Sequence, residues 1–129
     1  YDRVTRLKPD YGDAWFNRGN LLAQMQDYAG ALDSFEKAVA LLPKLADAQV
    51  NRGNMLLKLK RPAHALQALD SALKLAPRHA NALLNKGVAL HDLGHIDEAI
   101  DCYSLALQAQ FLQRGNIRSD GTRLAEVTA

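Results

Sequence analysis

Apolar residues in this chain recur three or four positions apart, and the resulting pattern of apolar and polar positions itself repeats. Over residues 12–26, Trp15, Gly19 and Leu22 fall on one stripe of a helix turning about 100° per residue, and Ala14, Arg18, Leu21 and Met25 fall on a second, about a quarter turn away. Two adjacent stripes imply two packing partners: a hairpin mate and a neighbouring layer. A turn at Gln26-Asp27 leads into a second predicted helix over 28–41, where Tyr28, Ala31, Leu32, Phe35, Ala38, Val39 and Leu41 cover a broad face. Gly30 weakens this helix by about 1 kcal/mol relative to Ala. Pro43 stops it, because the ring disfavours helix in the residue before it and has no N–H to donate.

The same plan returns at a fixed stride. Asn17-Arg18-Gly19-Asn20 reappears 34 residues later as Asn51-Arg52-Gly53-Asn54, and again as Asn85-Lys86-Gly87-Val88. That stride also joins Pro9, Pro43 and Pro77, then Ala31, Ala65 and Ala99, then Ala38, Ala72 and Ala106. A constant period of this size marks stacked units, none of which can bury its apolar face alone. In the second unit, 46–77, Ala48, Met55 and Leu59 point to the neighbour and Gly53 and Leu56 to the mate, with Gln49 in place of the Trp. Pro62 falls at the first position of its second helix, where a missing N–H costs nothing. The third unit, 80–110, places Leu83, Gly87 and Leu90 in its first helix and Gly94-His95 at the turn. Its second helix carries Ile96, Ala99, Ile100, Tyr103, Ala106 and Leu107, with Asp97 and Glu98 in the first turn, where the helix dipole favours negative charge.

The predicted fold is all-α, a solenoid of antiparallel helix pairs. It divides into the end of a truncated preceding repeat (1–9), three full repeats (10–43, 44–77 and 78–111) and a segment 112–129. Tyr1, Val4 and Leu7 have the spacing of an inward stripe on the last turns of a helix that begins outside the chain. Phe111 stands where the repeating Pro is due, and Gly115-Asn116 and Ser119-Asp120-Gly121 argue against a long regular helix beyond it. Yet Ile117, Gly121 and Leu124 fall 34 residues after Leu83, Gly87 and Leu90, so a decayed fourth first-helix and a disordered tail both fit.

Composition agrees with close helix packing, since 48% of residues are hydrophobic but only 6% aromatic, leaving Ala and Leu to fill the interior. Sixteen Lys and Arg against fourteen Asp and Glu leave +2, scattered along the chain, so no basic face for nucleic acid is expected. No apolar run approaches the thickness of a bilayer, and no membrane partner is expected. The single Cys102 excludes an internal disulfide framework and suits a reducing, cytoplasmic setting. It is expected on the side of its helix away from Ala99, Tyr103 and Ala106, as an inert thiol with no patterned His partner. His91 and His95 have the four-residue spacing of a metal pair, but Gly94 ends the helix between them and only Asp92 is near as a third ligand, so no metal is expected. No nucleophile–base pair, phosphate-cradling loop or paired acids appear, and the chain reads as non-catalytic and without a cofactor.

With a Gly and a Leu three apart in each first helix, spaced Ala in each second helix, an aromatic residue or Leu between those Ala, and a closing Pro, residues 1–111 resemble a tetratricopeptide repeat array. The resemblance implies a right-handed superhelix whose first helices line a concave, peptide-binding groove. One departure is systematic: Arg18, Arg52 and Lys86 precede the glycines where that family usually has Leu, so the cations are expected to snorkel outward along their apolar stems. The Asn-Arg-Gly-Asn phrase, with Tyr1-Asp2-Arg3 ahead of Leu7-Lys8-Pro9-Asp10, is similar to bacterial arrays fused ahead of glycosyltransferase domains of the O-linked N-acetylglucosamine transferase kind. No such domain lies within these residues.

Opposite the Trp15-Gly19-Leu22 stripe lie Asp13, Asn17, Asn20 and Gln24; the equivalents are Asp47, Asn51, Asn54 and Lys58, then Asn81, Asn85, Val88 and Asp92. Stacking would align these into a ladder along the groove. An Asn amide carries donors and an acceptor together, so it can pair with the peptide group of an extended ligand of any sequence. Asn is also a poor helix former, and its repeated use asks for a reason beyond solubility, which ligand contact or helix-to-helix bonding would each supply. Phe16, Val50 and Leu84 flank the ladder as apolar pockets for alternate ligand side chains, unless the neighbouring helix covers them. In the resembled family, Lys and Arg at set groove positions clamp the terminal carboxylate of chaperone tails. Asn20 and Asn51 match that clamp's amides, but Phe16, Asn81 and Asn85 stand where its cations belong, so a carboxylate grip is not expected. The expected partner is a protein or peptide. Apolar end faces lacking caps also predict end-to-end contacts between copies.

Overall fold

The computed structural model of the protein describes residues 11–119, with side chains through Leu112. Six helices follow one another: α1 (Tyr11–Gln24), α2 (Tyr28–Leu41), α3 (Ala46–Lys58), α4 (Pro62–Leu75), α5 (Ala80–Asp92) and α6 (Ile96–Ser119). No strand occurs among the described residues. Consecutive helices pack as hairpins α1/α2, α3/α4 and α5/α6, and α2 packs on α3 and α4 on α5. Of the first helices, α3 and α5 also touch across hairpins, whereas no comparable contact joins α1 to α3 or one second helix to another.

The glycines explain the hairpins. A methyl group at Gly19 would lie 2.6 Å from Phe35 Cε1, at Gly53 2.7 Å from Leu69 Cγ, and at Gly87 2.6 Å from Tyr103 Cε1. Each first helix therefore approaches its mate too closely for a side chain, as the stride requires. Between the hairpins lies a core of small and medium residues, Ala31, Phe35, Val50, Met55, Leu56, Ala65, Leu69, Ala72, Ala82 and Ala89 among them. Ala supplies much of it because short side chains let neighbouring backbones come close.

Each hairpin turn closes on one left-handed residue, Gln26 (φ 65°), Lys60 (φ 66°) and Gly94 (φ 88°), again one stride apart. The N–H groups of Asp27, Arg61 and His95 donate to the carbonyls of Leu22, Leu56 and Leu90 at 2.8 Å, five residues back, which ends the first helices as Schellman motifs. Asp27 caps α2 by accepting from the Gly30 N–H at 3.1 Å, and a methyl at Gly30 would press on that carboxylate, which accounts for a glycine inside a helix. Pro62 opens α4 at its first position, as expected.

The C-terminal segment departs from the expectation. Residues 112–119 continue α6 without a break and form neither a separate helix nor an irregular stretch. Pro43 and Pro77 follow the last turns of α2 and α4 and forbid their continuation; Phe111 keeps its N–H and has no ring closed onto its backbone nitrogen, so α6 runs on through Gly115. Residues 1–9, expected to end a preceding repeat, and 120–129 lie outside the described residues.

Candidate functional site

The predicted groove residues sit on α1, α3 and α5, but they do not form one uniform ladder. The firmest link is between Asn51 and Asn20, the Asn51 Nδ2 donating to Asn20 Oδ1 at 3.0 Å across the α1–α3 step. Both side chains are half-buried. The bond spends one amide hydrogen and one carbonyl lone pair, leaving the Asn20 amide as donor and the Asn51 carbonyl as acceptor. Asn54 and Asn85, one stride on, are half-buried without a matching bond among the described residues. Asn17 and Asn81 are exposed, as are Asp13, Gln24 and Asp92, and Val88 is half-buried.

Two ladder residues have partners the pattern did not foretell. Asp47 Oδ1 lies 2.6 Å from Nε2 of His79, whose Nδ1 accepts from the Ala82 N–H at 3.2 Å and so caps α5. Because Nδ1 accepts, the ring proton sits on Nε2 and donates to the carboxylate, tying the first turn of α3 to the start of α5. The ammonium of Lys58 reaches over the Tyr28 ring, 5.9 Å from its centroid. His79 carries no helical periodicity that would mark it; its cap on Ala82 is local, but its bond to Asp47 exists only once neighbouring hairpins stack.

The apolar trio divides. Val50 is only 4% exposed and belongs to the core, which corrects its place among the ligand contacts: α3 is covered by a hairpin on each side, so this position is sealed. Phe16 is half-buried and meets Phe35 edge to face at 5.8 Å between centroids. Leu84, at 43% exposure, alone stays open.

The cations before the glycines do more than reach solvent. Arg52 pairs with Glu36 at 3.5 Å and Lys86 with Asp70 at 2.9 Å, each reaching from a first helix to the second helix of the preceding hairpin. The hydrogen bond that Lys86 donates to Asp70 is the main reason the Lys86 pKa is raised above its ordinary value, against the opposing effect of burial. Arg18 instead donates to the hydroxyl of Ser34 in its own hairpin, satisfying a fully buried polar group, and it stacks with Lys37 around the Trp15 ring. Cys102 also requires correction. It is buried with Leu90 and Ala99 rather than turned away from them, because its position is the one that Ser34 and Ala68 hold inside the earlier hairpins. Burial pushes its thiol pKa up, Lys86 pulling weakly the other way. His91 and His95 engage separate acids, Asp92 at 3.9 Å and Glu98 at 3.1 Å, and among the described residues no group of three or more His, Cys, Asp or Glu is arranged to hold a metal. No described helix is long and apolar enough to cross a membrane.

Tetratricopeptide repeat family models match residues 12–45 and 50–110, which is most of the chain. The chain belongs to the tetratricopeptide repeat family. Among solved structures, this array superposes on the first repeat domain of Spaghetti (RPAP3) bound to the HSP90 peptide SRMEEVD with a TM-score of 0.76 and 22% identity, covering 79% of this chain and 81% of that one. MamA gives a TM-score of 0.77 at 21% identity, over 88% of this chain and 66% of that one. The Sgt2 repeat domain from Aspergillus fumigatus gives 0.75 at 20% identity, over 78% and 67%. At such identities the likeness is one of fold. Comparison with curated protein sequences gives no match.

Proposed function

We propose that this tetratricopeptide array is a non-catalytic interaction module that holds an extended segment of a partner protein along its first helices. Contact between α3 and α5, with none comparable between second helices, supports a curve whose inner side is the first-helix layer. The observation that carries the reading is the Asn20–Asn51 pair: bonded to each other at 3.0 Å, the two amides still offer one donor and one acceptor, the complement of a peptide group. Asn17, Asn81 and Leu84 extend that surface as exposed polar and apolar contacts. Two of the similar solved domains are described as bound to the HSP90 peptide SRMEEVD, so peptide capture is a use this fold supports. Here the site lacks a carboxylate clamp, with Phe16, Asn81 and Asn85 at the positions of its cations, and an internal segment is the better ligand.

A peptide-display selection against the full chain, repeated with Asn17→Ala/Asn85→Ala, tests this. Selected peptides should bind the parent and lose about tenfold or more in affinity to the variant, roughly two lost hydrogen bonds, with the melting temperature held within a few degrees. SRMEEVD should bind no better than a scrambled control. Binders indifferent to the variant, or a selection yielding none, would overturn the groove. The repeated amides also favour a second reading, in which the same groove recruits protein substrates for a glycosyltransferase domain elsewhere in the protein; the parent gene's sequence beyond residue 129 decides between the two.

A further inference from the structure

The internal junctions of the array show which surfaces cover each other. At α2/α3 the outward face of the second helix, Leu32 and Val39 with Phe35 beneath, lies under the Ala48, Met55 and Leu59 stripe of the next first helix, and Leu32 and Met55 are both buried. The α4/α5 junction repeats this with Leu66 and Leu73 against Ala82 and Ala89. One stride before Met55 and Leu59 stand Leu21 and Met25 on α1, and these are 61% and 75% exposed. One stride after Leu66 and Leu73 stand Ile100 and Leu107 on α6, 55% and 67% exposed. Among the described residues, the two end faces are therefore the two halves of an interface the molecule already makes twice. From this we infer that the α6 face of one copy receives the α1 face of another, head to tail, with Ile100 and Leu107 against Leu21 and Met25.

Charge is compatible with the same occupant. Inside the array each cation of a first helix meets an acid across the junction, Arg52 with Glu36 and Lys86 with Asp70. At the α6 end the acid's position is held by Ser104, and at the α1 end Arg18 is engaged by Ser34 of its own hairpin. Joining the ends thus leaves Arg18 on the Ser34 hydroxyl it already engages and asks for no acid at Ser104. One stride after Ala82, Lys86, Ala89 and Leu93 the sequence carries Asn116, Asp120, Arg123 and Val127, so the apolar stripe of a first helix is not repeated there. A contact between two different faces, offset by one layer, does not close on itself, so it builds linear arrays.

Sedimentation of the full chain between micromolar and millimolar concentration should show growth past the dimer. Met25→Glu and Leu107→Glu alter exposed positions, so each keeps the parent's helicity by circular dichroism while remaining monomeric alone. Mixed in equal amounts they should form a one-to-one heterodimer and nothing larger, since each retains the face the other has lost. The Asn17→Ala/Asn85→Ala variant should associate like the parent, which separates this contact from the groove. A parent that stays monomeric throughout, its ends covered by residues 1–9 or left bare, would overturn the inference. So would a dimer abolished by Leu107→Glu but not by Met25→Glu, which would mean that α6 pairs with α6.

Discussion

Three glycines in equivalent positions do not carry equal weight, because what they face differs in freedom. A methyl at Gly53 would lie 2.7 Å from Cγ of Leu69, which is fully buried and cannot retreat. At Gly87 the obstacle is Tyr103, half-buried in the last hairpin, whose ring can swing toward the open side. Alanine gains about 1 kcal/mol of helix propensity at either place, and forced overpacking costs about 1–3 kcal/mol where nothing yields. Urea unfolding should therefore show Gly53→Ala less stable by up to about 2 kcal/mol and Gly87→Ala level with the parent or up to about 1 kcal/mol more stable. Equal effects at the two sites would mean that hairpin closeness is not what these glycines provide. Their role was legible from the stride, since repetition at a helical face implies a repeated contact. That of His79 was not: its partner Asp47 belongs to the preceding hairpin, and no local pattern records a meeting made by stacking. Ser34 and Cys102 fall between these cases, because aligning them with Ala68 reveals a small-residue position that inspection of a single helix misses.

Among the elements, boundaries followed the punctuation. Second helices stopped at Leu41 and Leu75, just ahead of Pro43 and Pro77, and first helices stopped before the left-handed Gln26, Lys60 and Gly94. Only Gly94 advertised its turn by residue type; Gln26 and Lys60 take the same conformation because the hairpin geometry imposes it. α6 runs past Gly115-Asn116 because a glycine costs a helix only about 1 kcal/mol, whereas a proline costs about 3. Phe111→Pro should restore the missing stop. Helical signal at 222 nm should fall by about a tenth and the amides of 112–119 should lose protection, while the melting temperature changes little, the proline's cost being confined to the last turns. Unchanged helicity would show that something other than the absent proline carries α6 to Ser119.

For the whole molecule, stability should be graded along the stack, since α3 and α4 are covered by neighbours on both sides and α1 and α6 on one. Hydrogen exchange should be slowest in α3 and α4, by about a factor of ten or more relative to the second half of α6, because local opening there exposes less apolar surface. Uniform exchange along the chain would mean that the array opens as a single unit. The all-helical class, the number of helices between residues 11 and 111, the hairpin pairing and the glycine contacts were determined by sequence alone, because each follows from periodicity and from the backbone limits of Gly and Pro. Tertiary structure decided the rest: that Val50 is sealed while Leu84 is open, that Asn20 and Asn51 bond, that cations meet acids across hairpins, and which apolar faces stay exposed among the described residues. Those outcomes depend on how many neighbours a position acquires when hairpins stack, and a residue's place in the repeat is the same whether its layer is inner or terminal.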